Sequence, residues 1–222
     1  MNTIISSFWG EGISDERFLP TIAQRVLEGK VKQFSQAEWD VYEPIVLRTG
    51  QQHKNFIDQV LDIAAKSKGF NCMFIHTDAD AININDKALL HKINPALKAL
   101  QQKAPLEYCP HLVPIIPVVT VENWKLCDTE ALINALGVDL TEEEMGLNIH
   151  YRVLEERRNS KEMLHEIIRL AKGKSWMAPN VEDIDAILAK TIDINKLARM
   201  RAFQQFAESL DACLIKQNII QH

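Results

Sequence analysis

The chain predicts an α/β protein: a mostly parallel, Rossmann-like sheet flanked by helices, with a helical C-terminal extension. Three observations carry that expectation. Short apolar runs alternate with amphipathic helical patterns as far as Gly137, strand signals cease beyond it, and acidic residues stand where two of the apolar runs stop. Strands alternating with helices at this spacing build βαβ units, whose strands pair in parallel.

Each element follows from its residues. Thr3-Ile4-Ile5-Ser6-Ser7-Phe8-Trp9 reads as one buried strand. Ser14 reads as a helix N-cap, with Asp15 and Glu16 in the first turn, where carboxylates suit the helix dipole. Phe18, Leu19, Ile22, Val26 and Leu27 give that helix an apolar face, which Gly29 ends. Glu43 to Leu47 reads as a short strand, Phe56 to Ala64 as a helix closed by Gly69, and Phe70 to His76 as a strand. Residues 86–102 are helical in pattern, and Pro95 kinks or divides them. Leu112 to Val121 is a further strand that Pro114 and Pro117 make irregular or place at an edge. Glu122 to Leu136 is helical. After a polar stretch, three helical segments lie near 160–172, 181–191 and 194–217. The expected organisation is an α/β domain over 1–138 and a helical extension over 139–222 packed on it.

Composition narrows the function classes. The chain has 222 residues, 46% hydrophobic, enough for a sizeable core. Its apolar runs are too short to span a bilayer, and Met1-Asn2-Thr3-Ile4 does not open a signal peptide, so the expected location is cytoplasmic. Four scattered cysteines without a CxxC pair read as reduced thiols, not a zinc site. The net charge of −5 argues against a free-standing nucleic-acid binder. From Arg152 onward there are 12 basic and 10 acidic residues, against 13 and 20 before it. An acidic half acting on nucleic acid needs metal ions or a basic partner to offset repulsion.

The acidic signatures carry the chemistry. Glu11-Gly12-Ile13-Ser14-Asp15 follows the first strand, and Asp78-Ala79-Asp80 follows Cys72 to His76. Ligands of open α/β sheets bind beyond the carboxyl ends of the strands. In an extended segment Asp78 and Asp80 point to one side. Two like charges that close raise each other's pKa, and a divalent cation removes the conflict. Glu122, at another strand-to-helix junction, is a fourth acid; Asp128 lies six residues further on and reads as surface or support. His76 reads as a packed strand histidine. The bland readings stay open beside these: an Asp-rich turn, a loop glutamate at Glu11, and first-turn helix acids at Asp15 and Glu122. There is no Walker A loop, no GxGxxG after the first strand and no HExxH.

Glu11-Gly12-x-x-Asp15-x-x-Phe18-Leu19 and His76-Thr77-Asp78-Ala79-Asp80 resemble the motifs of a Toprim domain. That family, with a glutamate after its first strand and a D-x-D after a later one, is shared by topoisomerases, primases and OLD-family nucleases. Glu122-Asn123-Trp124-Lys125-Leu126-Cys127-Asp128 resembles the third segment of small stand-alone Toprim-like proteins, and Ile184 to Phe206 resembles their helical C-terminal part. The resemblance implies a Toprim-like fold, with Glu11 as general acid/base or metal ligand. Asp78 and Asp80 would hold Mg²⁺ (or Mn²⁺), Glu122 would complete the site, and Asp15, Asp128 and Lys125 would support it. It implies an effector of bacterial anti-phage defence that works with an ABC-type ATPase on DNA or RNA, and it leaves a homo-oligomer open. Nothing in these 222 residues reads as a topoisomerase or primase accessory domain, so those activities are disfavoured. The basic residue that OLD-type nucleases use near the metals has no clear counterpart; Lys125 and Lys174 are guesses. Two other functions compete: a non-catalytic partner subunit of the ATPase, and a phosphatase with an aspartate nucleophile, disfavoured because its D-x-D follows the first strand.

Overall fold

The apolar run over 3–9 is not one strand. The computed structural model describes residues 2–221 apart from 11, 51, 52, 54, 80–84, 105, 176 and 177 and the side chains of 85 and 86. The run splits at Ile5 into β1 (Asn2–Ile4) and β2 (Ser6–Trp9). Asn71 holds the break: its side-chain oxygen accepts from the Ile5 amide at 3.0 Å, and its own amide donates to the Ile5 carbonyl at 2.8 Å. With Ile5 satisfied there, β1 pairs in parallel with β3 (Trp39–Val41), while β2 enters the main sheet.

The main sheet is parallel, with β4 (Ile45–Val46), β2, β5 (Cys72–His76) and β6 (Leu112–Ile115) side by side in that order. Phe8 stands opposite Phe74, Trp9 opposite Ile75, and His76 opposite Ile115. The chain passes from β2 outward to β4 and returns to β5 on the other flank of β2. The strand order therefore reverses between β2 and β5, the switch point where open α/β sheets form a crevice. β6 is an edge strand, as Pro114 predicted.

Helices cover both faces. On one, α2 (Phe56–Lys66) and α4 (Asn94–Gln101) pack Val60, Ile63, Ala64, Ala96 and Leu100 against Trp9, Met73 and Ile75. Pro95 does divide the 86–102 pattern: it opens α4, behind α3 (Asn85–Ala88) and a π-helical turn over Leu89–Ile93. On the other face, one core joins Phe8, Phe74 and Val113 to α1 (Ile13–Phe34) and to the C-terminal helices. α1 does not start at Ser14 or stop at Gly29. Gly12 is its extended N-cap and it runs on to Phe34. Buried Leu27 and Val31 flank Gly29, and their packing outweighs the ~1 kcal/mol that a mid-helix glycine costs.

The predicted helix over 122–136 is also two: α5 (Glu122–Lys125) and α6 (Thr129–Leu136), separated by extended Asp128, which caps α6 by accepting from the Ala131 amide at 3.1 Å. Gly137 ends α6 with φ 66°, a left-handed turn that suits glycine. Within the polar stretch lie α7 (Glu142–Met145) and α8 (Tyr151–Glu155). Then come α9 (Ser160–Lys174), α10 (Val181–Thr191), α11 (Ile194–Leu197) and α12 (Arg201–Lys216). α10 docks on α1, where Arg25 donates to the Ala189 and Ile192 carbonyls at 3.0 and 2.7 Å. α12 lies over β5 and β6, with the Phe206 ring 6.1 Å from that of Phe74. No helix among the described residues is long and apolar enough to cross a membrane.

Candidate active site at the switch point

The residues after β2 and those after β5 meet at the switch point, and a histidine joins them. His76, the last residue of β5, is buried on the α1 face. Asp15, in the first turn of α1, brings Oδ2 to 3.4 Å from His76 Nε2. Asp78, two residues beyond His76, brings Oδ1 to 3.6 Å from the same nitrogen. His76 Nδ1 lies 3.0 Å from the Ile115 carbonyl of β6. A carbonyl only accepts, so Nδ1 carries a proton. A neutral ring would then turn the Nε2 lone pair towards two carboxylates; the imidazolium gives both a donor. Burial alone would lower the His76 pKa, but the Asp15 hydrogen bond and the charges of Asp15 and Asp78 outweigh it, and the pKa is raised. Burial likewise opposes ionisation of Asp15, yet His76, the charge of Lys125 and the Ser14 hydroxyl hold its carboxyl below the ordinary value.

Two glycines make room for this arrangement. A Cβ on Gly10 would stand 3.3 Å from His76 Cδ2, and one on Gly12 would stand 2.6 Å from Asp15 Oδ2. Beside them a cleft of about 410 Å³ opens over the ends of β2 and β4, lined by Trp9, Gly10, Gly12, Arg48, Thr49 and Gln59. Arg48 reaches Glu16 of α1 at 2.9 Å and keeps 72% of its side chain exposed. On the α2 face of β5, Lys92 from the π-helical turn donates to the Thr77 hydroxyl at 2.7 Å and lies over the Phe56 ring.

The predicted site residues thus divide. Asp15 and Asp78 converge. Glu11 and Asp80 lie outside the described residues. Among the described residues, no group of three or more His, Cys, Asp and Glu side chains is arranged to hold a metal ion. Lys125 and Asp128 have their partners in the C-terminal helical part, and Glu122 has its partner beside it in the chain. Glu122 is buried and accepts from the Thr120 hydroxyl. Lys125 and Asp185 of α10 form an ion pair at 2.8 Å, each side chain 1% exposed, with Lys125 also over the Phe18 ring. Burial and the nearby Glu122 charge raise the Asp185 pKa despite Lys125. Asn123 donates to the Glu155 and Arg157 carbonyls at 2.8 and 3.2 Å. Asp128 is buried rather than on the surface: besides capping α6 it accepts from the Asp193 amide at 2.9 Å and from Lys196 at 2.6 Å. Lys174 donates to Glu144 and to the Asp139 carbonyl, at the far end of α9.

Three residues of this region escaped sequence reasoning in whole or part. His76 carried a signal, since its spacing from Asp78 puts both on one face of an extended segment. Asp185 carried a fainter one, a carboxylate beside Ile184 on the apolar side of α10. Arg48 carried none, because its place at the cleft depends on the strand order. No family model, no curated protein and no solved structure matches this chain. Fold and site define it as an α/β protein with an acidic crevice at its switch point.

Proposed function

We propose that this chain is a Toprim-type, metal-dependent nuclease that hydrolyses phosphodiester bonds in DNA or RNA. One observation supports the reading above the others: the two acidic signatures end on the adjacent strands β2 and β5, and their described members, Asp15 and Asp78, aim at the same point. Hard oxygen donors gathered at strand ends suit Mg²⁺ or Mn²⁺. Glu11, Asp78 and Asp80 would hold the metal, with Glu122 at the margin. When bound, it would supply an activated water and charge stabilisation for the leaving oxygen. His76 orients Asp15 and Asp78, Lys125 keeps Asp15 ionised from behind, and the cleft presents the Arg48 guanidinium to a phosphate. In the same proposal the protein is the effector of an anti-phage system, paired with an ABC-type ATPase that supplies the nucleotide chemistry this sequence lacks.

The test is cleavage of plasmid, single-stranded DNA and tRNA with Mg²⁺ or Mn²⁺, alone and with any ABC-type ATPase found encoded beside it. Glu11→Gln and Asp78→Asn each reduce cleavage at least 100-fold while circular dichroism stays unchanged. Full activity in both variants refutes the nuclease.

A second reading, a non-catalytic partner subunit of the ATPase, draws on His76. An imidazolium between Asp15 and Asp78 already balances the charge that a metal would balance. A stable complex without metal-dependent cleavage, unaffected by Glu11→Gln, favours it.

A further inference from the structure

The main sheet ends differently at its two edges. On β6, Ile115 turns its carbonyl inward to the Thr77 amide at 3.3 Å, so the outward position is Pro114, which has no N–H to offer. On β4 the outward position is Val46. Leu47 donates to the Phe8 carbonyl at 2.9 Å, and with Val46 opposite Phe8 in a parallel ladder this points both the N–H and the C=O of Val46 away from β2. Among the described residues β2 is the only neighbour of β4. Exposed apolar side chains gather on the same edge: Val46 at 37%, Ile45 at 48% and Tyr42 at 60%. Edges of this kind are ordinarily blunted by a central charge or proline. We propose that β4 is the interface of a homodimer, in which the β4 strands of two copies pair antiparallel about a two-fold axis at Val46.

The edge is complementary to itself. Pro44 and Arg48 stand two residues either side of Val46 and share its outward parity. Pro44 brings a carbonyl and no N–H. Arg48 brings its N–H, because Lys66 already donates to its carbonyl at 2.7 Å. In an antiparallel match about Val46, the two Val46 residues exchange both their bonds, and each Arg48 amide faces the Pro44 carbonyl of the other copy. The donor that Pro44 lacks and the acceptor that Arg48 has given to Lys66 fall opposite each other, so no polar group is stranded. Ile45 of one copy then lies beside Leu47 of the other.

Charge favours the same partner and direction. The edge is acidic where it begins, at Asp40 and Glu43, and basic where it ends, at Arg48 and Lys66. Arg48 is bonded to Glu16 but keeps 72% of its side chain exposed, and Lys66 keeps 41%. Antiparallel pairing sets the acids of each copy beside the bases of the other; parallel pairing would set like against like. A second copy supplies both the backbone pattern and the charges, as a two-fold interface requires. The two four-stranded sheets become continuous, and because the β4 strands run oppositely, the two switch-point crevices open at opposite ends of the dimer.

The test is sedimentation equilibrium of the full chain, followed by cross-linking. The parent protein should sediment as a dimer. Val46→Pro removes an N–H that the monomer's own ladder does not use, and Ile45 before it is already extended, so the fold should persist by circular dichroism while the dimer is lost. Register is read from single cysteines. Across the axis the two Val46 Cα atoms lie about 5.5 Å apart, within disulfide reach, whereas the two Ile45 Cα atoms lie roughly 8 Å apart, beyond it. Val46→Cys should therefore form a disulfide-linked dimer under mild oxidation and Ile45→Cys should not; the native cysteines 72, 109, 127 and 213 are all buried. A parent protein that stays monomeric at its highest soluble concentration overturns the proposal. So does a dimer that survives Val46→Pro, or cross-linking through Ile45→Cys as fast as through Val46→Cys. The cross-links decide the matter even if the proline variant misfolds. Cleavage does not enter the readout, so the dimer stands or falls apart from the nuclease.

Discussion

The switch-point cluster and the Glu122–Asp128 segment read alike in sequence, as acids at strand-to-helix junctions, yet the fold uses them differently. Asp15 and Asp78 converge from two strand ends on one histidine and keep 13% and 33% of their side chains exposed beside a cleft. Lys125 and Asp128 point the other way and bind the sheet unit to α10 and α11, while Asn123 holds the backbone behind α8. An acidic side chain at a strand end serves as ligand or catalyst only if it faces the crevice; facing a neighbouring helix, it becomes a joint. Losses of stability should therefore concentrate in the second region and losses of activity in the first.

Lys125→Met should give the largest effect. It strands Asp185, whose Oδ2 has no hydrogen-bond partner among the described residues, in the core. Breaking one side of a buried pair costs about 3–5 kcal/mol. Replacing both, with Lys125→Met and Asp185→Leu together, should recover most of that loss in urea unfolding. A single-variant loss below about 1 kcal/mol would break the assignment of Lys125 as a joint.

Glu155→Ala should follow. Its buried carboxylate accepts from the amides of Arg201 and Ala202 at 3.2 and 2.7 Å, capping α12 from α8. Leaving two buried donors unmet costs about 2–3 kcal/mol. Hydrogen exchange should show the loosening at the start of α12 first. Uniform loosening across the sheet would contradict the cap.

Gly12→Ala separates the regions in the other direction. The backbone there is extended (φ −124°, ψ 144°), so alanine fits the conformation, and the conflict is with Asp15 alone. The stability cost should stay near 1 kcal/mol. If the chain is the nuclease proposed above, displacing Asp15 from His76 should lower its cleavage at least tenfold, because small misplacements of reacting groups cost rate steeply. Unchanged cleavage would remove Asp15 from the site.

What could be read beforehand follows the same division. The βα order, the strand end at His76 and the acids beyond it are local patterns, and they were legible. Local signals misled where a long-range contact decided: Asn71 breaks the first strand at Ile5, and Asp128 with Asp193 breaks the 122–136 helix. The pairing of Lys125 with Asp185 spans sixty residues of chain and leaves no periodic trace. The convergence on His76 needed the strand order, since only with β2 beside β5 does the start of α1 fall next to the end of β5.

The smallest effect is a pH dependence, and it belongs to the joint. Burial opposes ionisation of Asp128, but the Lys196 bond and two backbone amides outweigh it and lower its pKa. The Asp128 bond, against burial, raises the pKa of Lys196. A lowered carboxyl contributes stability that is present above its unfolded value and lost as pH falls through the folded one. A raised amine contributes below its unfolded value and loses it as pH rises through the folded one. Both contributions are complete across neutral pH. Asp128→Asn should therefore cost a constant amount, about 1 kcal/mol, between roughly pH 5 and 9, and the gap to the parent protein should narrow below about pH 4. Urea midpoints along a pH series measure it. A gap that instead closes between pH 6 and 8 would mean that a histidine, not the Lys196 pair, governs this joint.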